Sequence, residues 1–187
     1  QMFSMMTNQS TEQLEAQLAR LNALPQVVDQ VIALLTEGLK TGMTPPQITL
    51  RDVPQQVANQ IPDDPFKSPL LRGFNDLPPT VPGEDGTRLR AAAAKVYAEA
   101  VRPAFQRLGK FIETQYLPGA RQTIAASALP DGEAYYAWRI KTQTSTDLTA
   151  KQVHEIGLAE VQRIRAEMEK VREQTGFKGT LAEFFKY

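Results

Sequence analysis

The sequence predicts an all-α protein: antiparallel helices around one long kinked helix, with a proline-rich strap across them. Three observations predict it. Apolar residues recur three and four positions apart in each long segment, which gathers them on one helix face. Three segments open on a capping box, Ser10 with Gln13, Thr149 with Gln152 and Thr180 with Glu183, in which cap and third residue satisfy each other's backbone donors. No stretch alternates apolar and polar residues over a useful strand length, and no internal repeat with a period of roughly 20 to 50 residues is present.

Behind the first box, Leu14, Leu18 and Leu21 hold helical spacing. Pro25 is expected to end or reset that helix, because it has no amide proton to donate. From Val27 a second stripe runs through Val28, Val31, Ile32, Leu35 and Leu39 to Gly42, placed as a C-terminal cap, so residues 1–44 read as a helical hairpin. Asp52 as cap and Pro54 in the first turn open a short helix with Val53, Val57 and Ile61 on one face. Nine of the 13 prolines lie between Pro45 and Pro82, a density that forbids regular helix or a central strand. Residues 45–86 are a linker or an ordered strap. Phe66, Leu70, Leu71, Phe74 and Leu77 are too apolar for a solvated spacer, which favours the strap.

Thr87 opens the longest stripe, from Leu89 through Ala93, Val96, Phe105 and Ile112 to Tyr116, with a kink expected at Pro103 and an end at Pro118-Gly119. A turn at Pro130-Asp131-Gly132 leads into Glu133 to Thr142, which carries Tyr135, Tyr136 and Trp138. Behind the second box, Val153, Val161, Ile164, Met168 and Val171 carry a helix to Gly176. On its outer face Glu160 and Arg163, Arg163 and Glu167, and Glu169 and Arg172 are spaced to pair. Residues 87–187 therefore read as a long-helix bundle, and 1–187 together as the helical portion of a larger domain. Gln1 is not a translation start, and the helix behind Thr180 has little more than its opening turns before Tyr187, so both ends are expected to be cut.

Charge is balanced, 21 basic against 21 acidic residues, which gives no global field for nucleic acid or an anionic membrane. The balance hides an asymmetry: residues 1–86 carry net −5 and residues 87–187 net +5, so the two regions are expected to attract each other. Arg88, Arg90, Lys95, Arg102, Arg107 and Lys110 dominate the polar surface of the long helix. A solvated face is preferred there to a polyanion site. Cysteine is absent, which excludes disulfides, thiolate metal sites and cysteine nucleophiles. The longest aliphatic run, Val31 to Leu35, falls far short of the roughly 20 residues that span a bilayer, so no transmembrane segment is expected.

The single histidine sits in His154-Glu155, half of a helix-borne zinc motif whose second histidine position holds Leu158. A packing or hydrogen-bonding role is the preferred reading. The acidic pairs Asp63-Asp64 and Glu84-Asp85 lie in turn sequence and are expected to face water, and Gly83 to Gly86 lacks the lysine of a phosphate loop. Tyr135, Tyr136 and Trp138 are expected at a core and interface, with one tyrosine hydroxyl free to face outward. The polar run Lys141 to Asp147 either lines a cleft or is an ordinary capped connection.

Five segments suggest a family: Gly38 to Pro46, Val101 to Phe105, Tyr116 to Arg121, Leu129 to Tyr136, and Thr144 to Val161. In order, they resemble a bacterial domain-of-unknown-function family whose members carry lipoprotein or carboxypeptidase-like labels and resemble gluzincin-type zinc metallopeptidases. The resemblance implies an all-helical fold, a much longer parent chain, and a zinc signature beyond Tyr187. It implies that this chain holds no cofactor of its own, that zinc belongs to the intact protein, and that the location is the periplasm or cell envelope. The first functional expectation is thus a non-catalytic helical fragment of a zinc-dependent peptidase, inactive alone, whose partner is the remainder of its parent chain and whose substrate is a peptide. Tyr135, Tyr136, Lys141 and Thr144 are its cleft-lining candidates, with no catalytic residue and no metal ligand. The alternatives are a free-standing helical protein-interaction module and a structural bundle that oligomerises through exposed faces.

Overall fold

The computed structural model describes residues 6–187; Gln1 lies outside them. Among the described residues every regular element is helical, as expected. Contacts divide the chain into two compact units, Gln1–Ala125 and Ala126–Tyr187, so the boundary falls inside the stretch 87–187 that reads as one bundle.

In the first unit, α1 is one helix, Thr11–Thr41, where the sequence predicts a hairpin broken at Pro25. Proline inside a helix costs about 3 kcal/mol. The apolar stripe nevertheless passes through it: Leu21, Leu24 and Val28 are all buried, and burying each such side chain contributes about 1.5–3 kcal/mol. The stripe outweighs the lost hydrogen bond. Ser10 caps the helix, accepting from the Gln13 amide at 3.3 Å, while Gln13 Oε1 accepts from the Gln9 amide at 2.8 Å, one residue ahead of the cap. At the other end Gly42 adopts φ 73°, a left-handed cap that suits glycine.

Two short helices follow, α2 (Gln47–Leu50) and α3 (Val53–Ala58). The proline-rich segment is an ordered strap. It forms two 3₁₀ turns, Pro65–Lys67 and Pro69–Phe74, and buries Leu71 and Phe74 completely. Side chains do the capping that proline density denies to the backbone: Asp64 accepts from the Phe66 amide at 3.0 Å, and Ser68 accepts from the Leu70 amide while donating to Gln60 O at 2.6 Å.

The long helix α4 (83–119) starts at Gly83, four residues before Thr87, whose hydroxyl instead donates to Gly83 O at 2.9 Å. Its two interior prolines share one device. A wide π turn, Tyr97–Val101, precedes Pro103, and another, Ile112–Tyr116, precedes Pro118. In each the residue before proline donates five residues back, Arg102 to Tyr97 O and Leu117 to Ile112 O. The widened turn accommodates a residue that can neither donate nor tolerate the usual carbonyl behind it.

Two apolar clusters hold this unit. Leu14, Leu21 and Leu24 of α1, Leu71 and Phe74 of the strap, and Leu89, Tyr97 and Val101 of α4 form the first. Leu50, Phe111, Ile112, Tyr116 and Ala120 form the second, packed by Ile32, Leu35 and Leu39 from the far half of α1.

The second unit comprises a 3₁₀ turn, Ala126–Ala128, then α5 (Gly132–Thr144), α6 (Ala150–Gln174) and α7 (Leu181–Phe184). Capping boxes at Thr149 with Gln152 and at Thr180 with Glu183 are both formed. Gly132 is required by contact: a Cβ there would stand 2.3 Å from Ala126 O and 2.7 Å from Ser127 C. Gly176, at φ 76°, follows α6.

Candidate functional site

The arginines of α4 are tied to the acidic half of the chain. Arg88 meets Glu15 at 2.9 Å and Asp85 at 3.0 Å, Arg107 meets Asp29 at 2.9 Å, and Arg102 pairs with Asp63. Arg90 donates to the carbonyls of Phe74 and Asn75, both at 2.7 Å, with its guanidinium 4.3 Å from the Phe66 ring centroid. Attraction between the two charge regions is thus realised as ion pairs of α4 with α1 and the strap. Arg88 and Arg107 stay about half exposed within these pairs, in keeping with a solvated face. Asp63 and Asp64 are both exposed, as expected, and take separate tasks, one pairing with Arg102 and the other capping the first strap turn.

Where Gly38 to Pro46 meets Tyr116 to Arg121, a single arginine closes the unit. The Arg121 amide donates to Thr44 Oγ1 at 3.0 Å, and Arg121 Nε donates to Thr44 O at 2.9 Å. Its Nη1 donates to Thr123 O at 2.7 Å and Ala125 O at 2.8 Å. Gln47 completes the clasp by donating its amide to Arg121 O at 2.7 Å and Nε2 to Leu117 O at 3.0 Å. Beside it, Gln47, Ile48, Arg51, Leu117 and Gln122 line an open hollow of about 510 Å³. Sequence reasoning assigned Arg121 no role. The one available signal was an arginine just past a Pro-Gly helix stop, where free carbonyls need a donor.

Two buried tyrosines hold their phenols against ionisation. Burial pushes both Tyr97 and Tyr116 above the ordinary tyrosine range, and the Tyr97 hydroxyl donates to Pro62 O at 2.6 Å.

In the second unit the four cleft candidates all lie on α5, spread around the helix rather than gathered on one face. Tyr135 and Tyr136 are exposed, which corrects the expectation of an aromatic core, and the Tyr135 ring lies 6.0 Å from that of Trp138. Lys141 Nζ meets Asp147 Oδ1 at 2.7 Å. Thr144 Oγ1 donates back to Ile140 O at 2.8 Å and lies 2.8 Å from Thr146 Oγ1. Between the last two groups Ser145 takes φ 55°, a left-handed conformation that turns the chain sharply. These side chains can offer hydroxyl donors, ring faces and one cation to a ligand. His154 is exposed, and Glu155 beside it lies 3.8 Å from Lys151 Nζ. No three His, Cys, Asp or Glu side chains converge to hold a metal among the described residues, so these residues do not fit a zinc centre.

Fold and site together define an all-helical protein whose first unit is closed by ion pairs and whose second presents aromatic and apolar side chains outward. The chain belongs to the family described as "Bacterial protein of unknown function (DUF885)", matched over residues 1–187. Among solved structures it is similar to the "putative lipoprotein from Colwellia psychrerythraea", at 25% identity and a TM-score of 0.75, over 92% of this chain. The match covers 30% of that protein's chain. A comparison with curated proteins returns no match. Among the described residues no helix is long and apolar enough to cross a membrane.

Proposed function

We propose that this chain is the non-catalytic helical portion of a zinc-dependent, carboxypeptidase-like enzyme of the bacterial cell envelope, and that it supplies scaffold and one wall of the substrate cleft. The observation that carries the reading is the exposed surface of α5, where Tyr135, Tyr136, Lys141 and Thr144 are ordered but not consumed by the interior. The similarity to a protein described as a lipoprotein supports the envelope location, and the resemblance of the five segments supports the peptidase class.

The chemistry of this wall is binding. Tyrosine hydroxyls donate to peptide carbonyls, and the Tyr135 and Trp138 faces pack apolar side chains. The exposed Lys141–Asp147 pair is worth at most about 1 kcal/mol, so Lys141 is readily released to meet a substrate carboxylate. In the intact protein a zinc ion held by residues outside this segment would supply the Lewis acid for peptide hydrolysis, while Tyr135, Tyr136, Lys141 and Thr144 would contribute binding alone.

The test is peptide hydrolysis by the natural full-length product. Chelator-sensitive cleavage is expected, with Tyr135→Phe and Lys141→Ala raising KM while kcat holds, the signature of lost uniform binding. A full-length protein inert toward peptides, or chelator-sensitive hydrolysis by residues 1–187 alone, refutes the reading.

A further inference from the structure

α6 is well defined and poorly covered. Thr149 and Gln152 fix its start with a complete capping box, so the face each residue occupies follows from 100° per residue. Val161, Ile164, Met168 and Val171 fall on one stripe, and all four are exposed, Val161 at 61%. Leu181 and Phe184 of α7 reach only its C-terminal end, leaving an open apolar groove of about 270 Å³. A 25-residue helix is about 37 Å long at 1.5 Å per residue, so α7 flanks the face only from Ile164 to Val171 and leaves Val161 and the groove itself open. Contiguous exposed apolar surface of this kind marks an interaction site.

The length of chain beyond this segment decides the occupant. The solved relative matches over only 30% of its own chain and so carries ample further polypeptide to cover this face. The four aliphatic residues of the face lie within about 80° of the helix circumference. Glu160 and Glu167, which share Arg163 at 2.8 Å each and so keep one net negative charge, run along one edge of the stripe and Arg165 along the other.

We propose that the apolar face of α6 docks amphipathic helices from outside residues 1–187 of the same polypeptide, with basic side chains facing the Glu160 edge and acidic ones facing Arg165. The proposal rests on the reading of a longer parent chain but not on peptidase activity. The test is maleimide labelling of the natural full-length protein carrying Val161→Cys or, about 100° round the helix and outside the stripe, Gln162→Cys, with modified peptides quantified by mass spectrometry. This region has no cysteine of its own. Val161→Cys is expected to label at least tenfold more slowly than Gln162→Cys, independent of protein concentration. Hydroxyl-radical oxidation of Met168 in the unsubstituted protein gives the same answer without a variant, with protection expected. Equal labelling rates together with ready oxidation of Met168 overturn the proposal. Protection that disappears on dilution also overturns it, by assigning the face to a second copy. Neither readout depends on catalysis, so an inert but protected protein refutes the peptidase reading alone.

Discussion

Phe74→Ala separates an ordered strap from a linker. Phe74 is 0% exposed and sits among Leu14, Leu21, Leu71 and Leu89, while its carbonyl accepts from Arg90. Truncation to alanine removes on the order of 150 Å² of buried ring surface. At about 25 cal/mol/Å² that is a transfer loss of about 4 kcal/mol, and incomplete collapse of the cavity adds to it. The expected destabilisation of about 4 kcal/mol is a large share of the roughly 5–15 kcal/mol that holds a typical domain. Urea unfolding followed by circular dichroism reads it as a fall in midpoint at constant slope. Leu34→Ala is the control, since Leu34 is 72% exposed on α1 and its truncation is expected to cost no more than about 0.5 kcal/mol. A Phe74→Ala midpoint within error of the Leu34→Ala midpoint refutes the strap, because a solvated spacer has no core to lose.

Gly132→Ala drives a Cβ into the backbone of the preceding 3₁₀ turn and is expected to destabilise the second unit by about 1–3 kcal/mol; limited proteolysis near Ala126 that stays at the wild-type rate would contradict this. Arg121→Ala strips donors from the carbonyls of Thr44, Thr123 and Ala125, for an expected loss of about 1–3 kcal/mol that Arg121→Lys does not restore, as measured by urea midpoint. Hydrogen bonds from the Thr180 amide, then its hydroxyl, hold the Glu183 carboxyl below the ordinary carboxylate range. The capping box of α7 is therefore complete above the unfolded carboxylate value and lost as pH falls through the lower folded one, and Glu183→Gln is expected to flatten that acid limb in amide NMR shifts. Tyr97 and Tyr116 act at the other end of the scale. Burial raises both, so their contribution is full below the ordinary phenol value and lost as pH rises through the folded values, an alkaline fall that Tyr116→Phe is expected to reduce in thermal melts.

How legible the fold was depends on whether a signal was local. The capping boxes at Thr149 and Thr180, and the glycine cap at Gly42, need only neighbouring residues, and all three formed where read. Pro25 misled because its cost is local while its compensation, burial of Leu21, Leu24 and Val28, comes partly from α4, more than 60 residues further along the chain. The start at Gly83 was missed for a related reason. Glu84 and Asp85 in the first turn suit the positive end of a helix, but beside Pro82 they read as a turn. The charge asymmetry pointed to attraction between the halves without saying which atoms meet. Arg102 with Asp63 and Arg107 with Asp29 required the fold.

The site was less legible, and α6 shows why. Its periodicity correctly marked Val161, Ile164, Met168 and Val171 as one face, yet periodicity states only that a face is apolar, never what covers it. On α1 the same kind of stripe finds α4 and the strap, and the leucines vanish from solvent. On α6 it finds α7 over its last turns only. Tyr135 and Trp138 follow the same logic: aromatic density predicted an interior, and the unit instead holds them against each other at its surface. Aliphatic side chains left 40–61% exposed on a capped 25-residue helix gain only part of what burial offers. The sequence therefore encodes a burial that residues 126–187 do not complete by themselves. That unmet burial, more than any titratable group in the chain, is the feature from which a partner for the second unit can be argued.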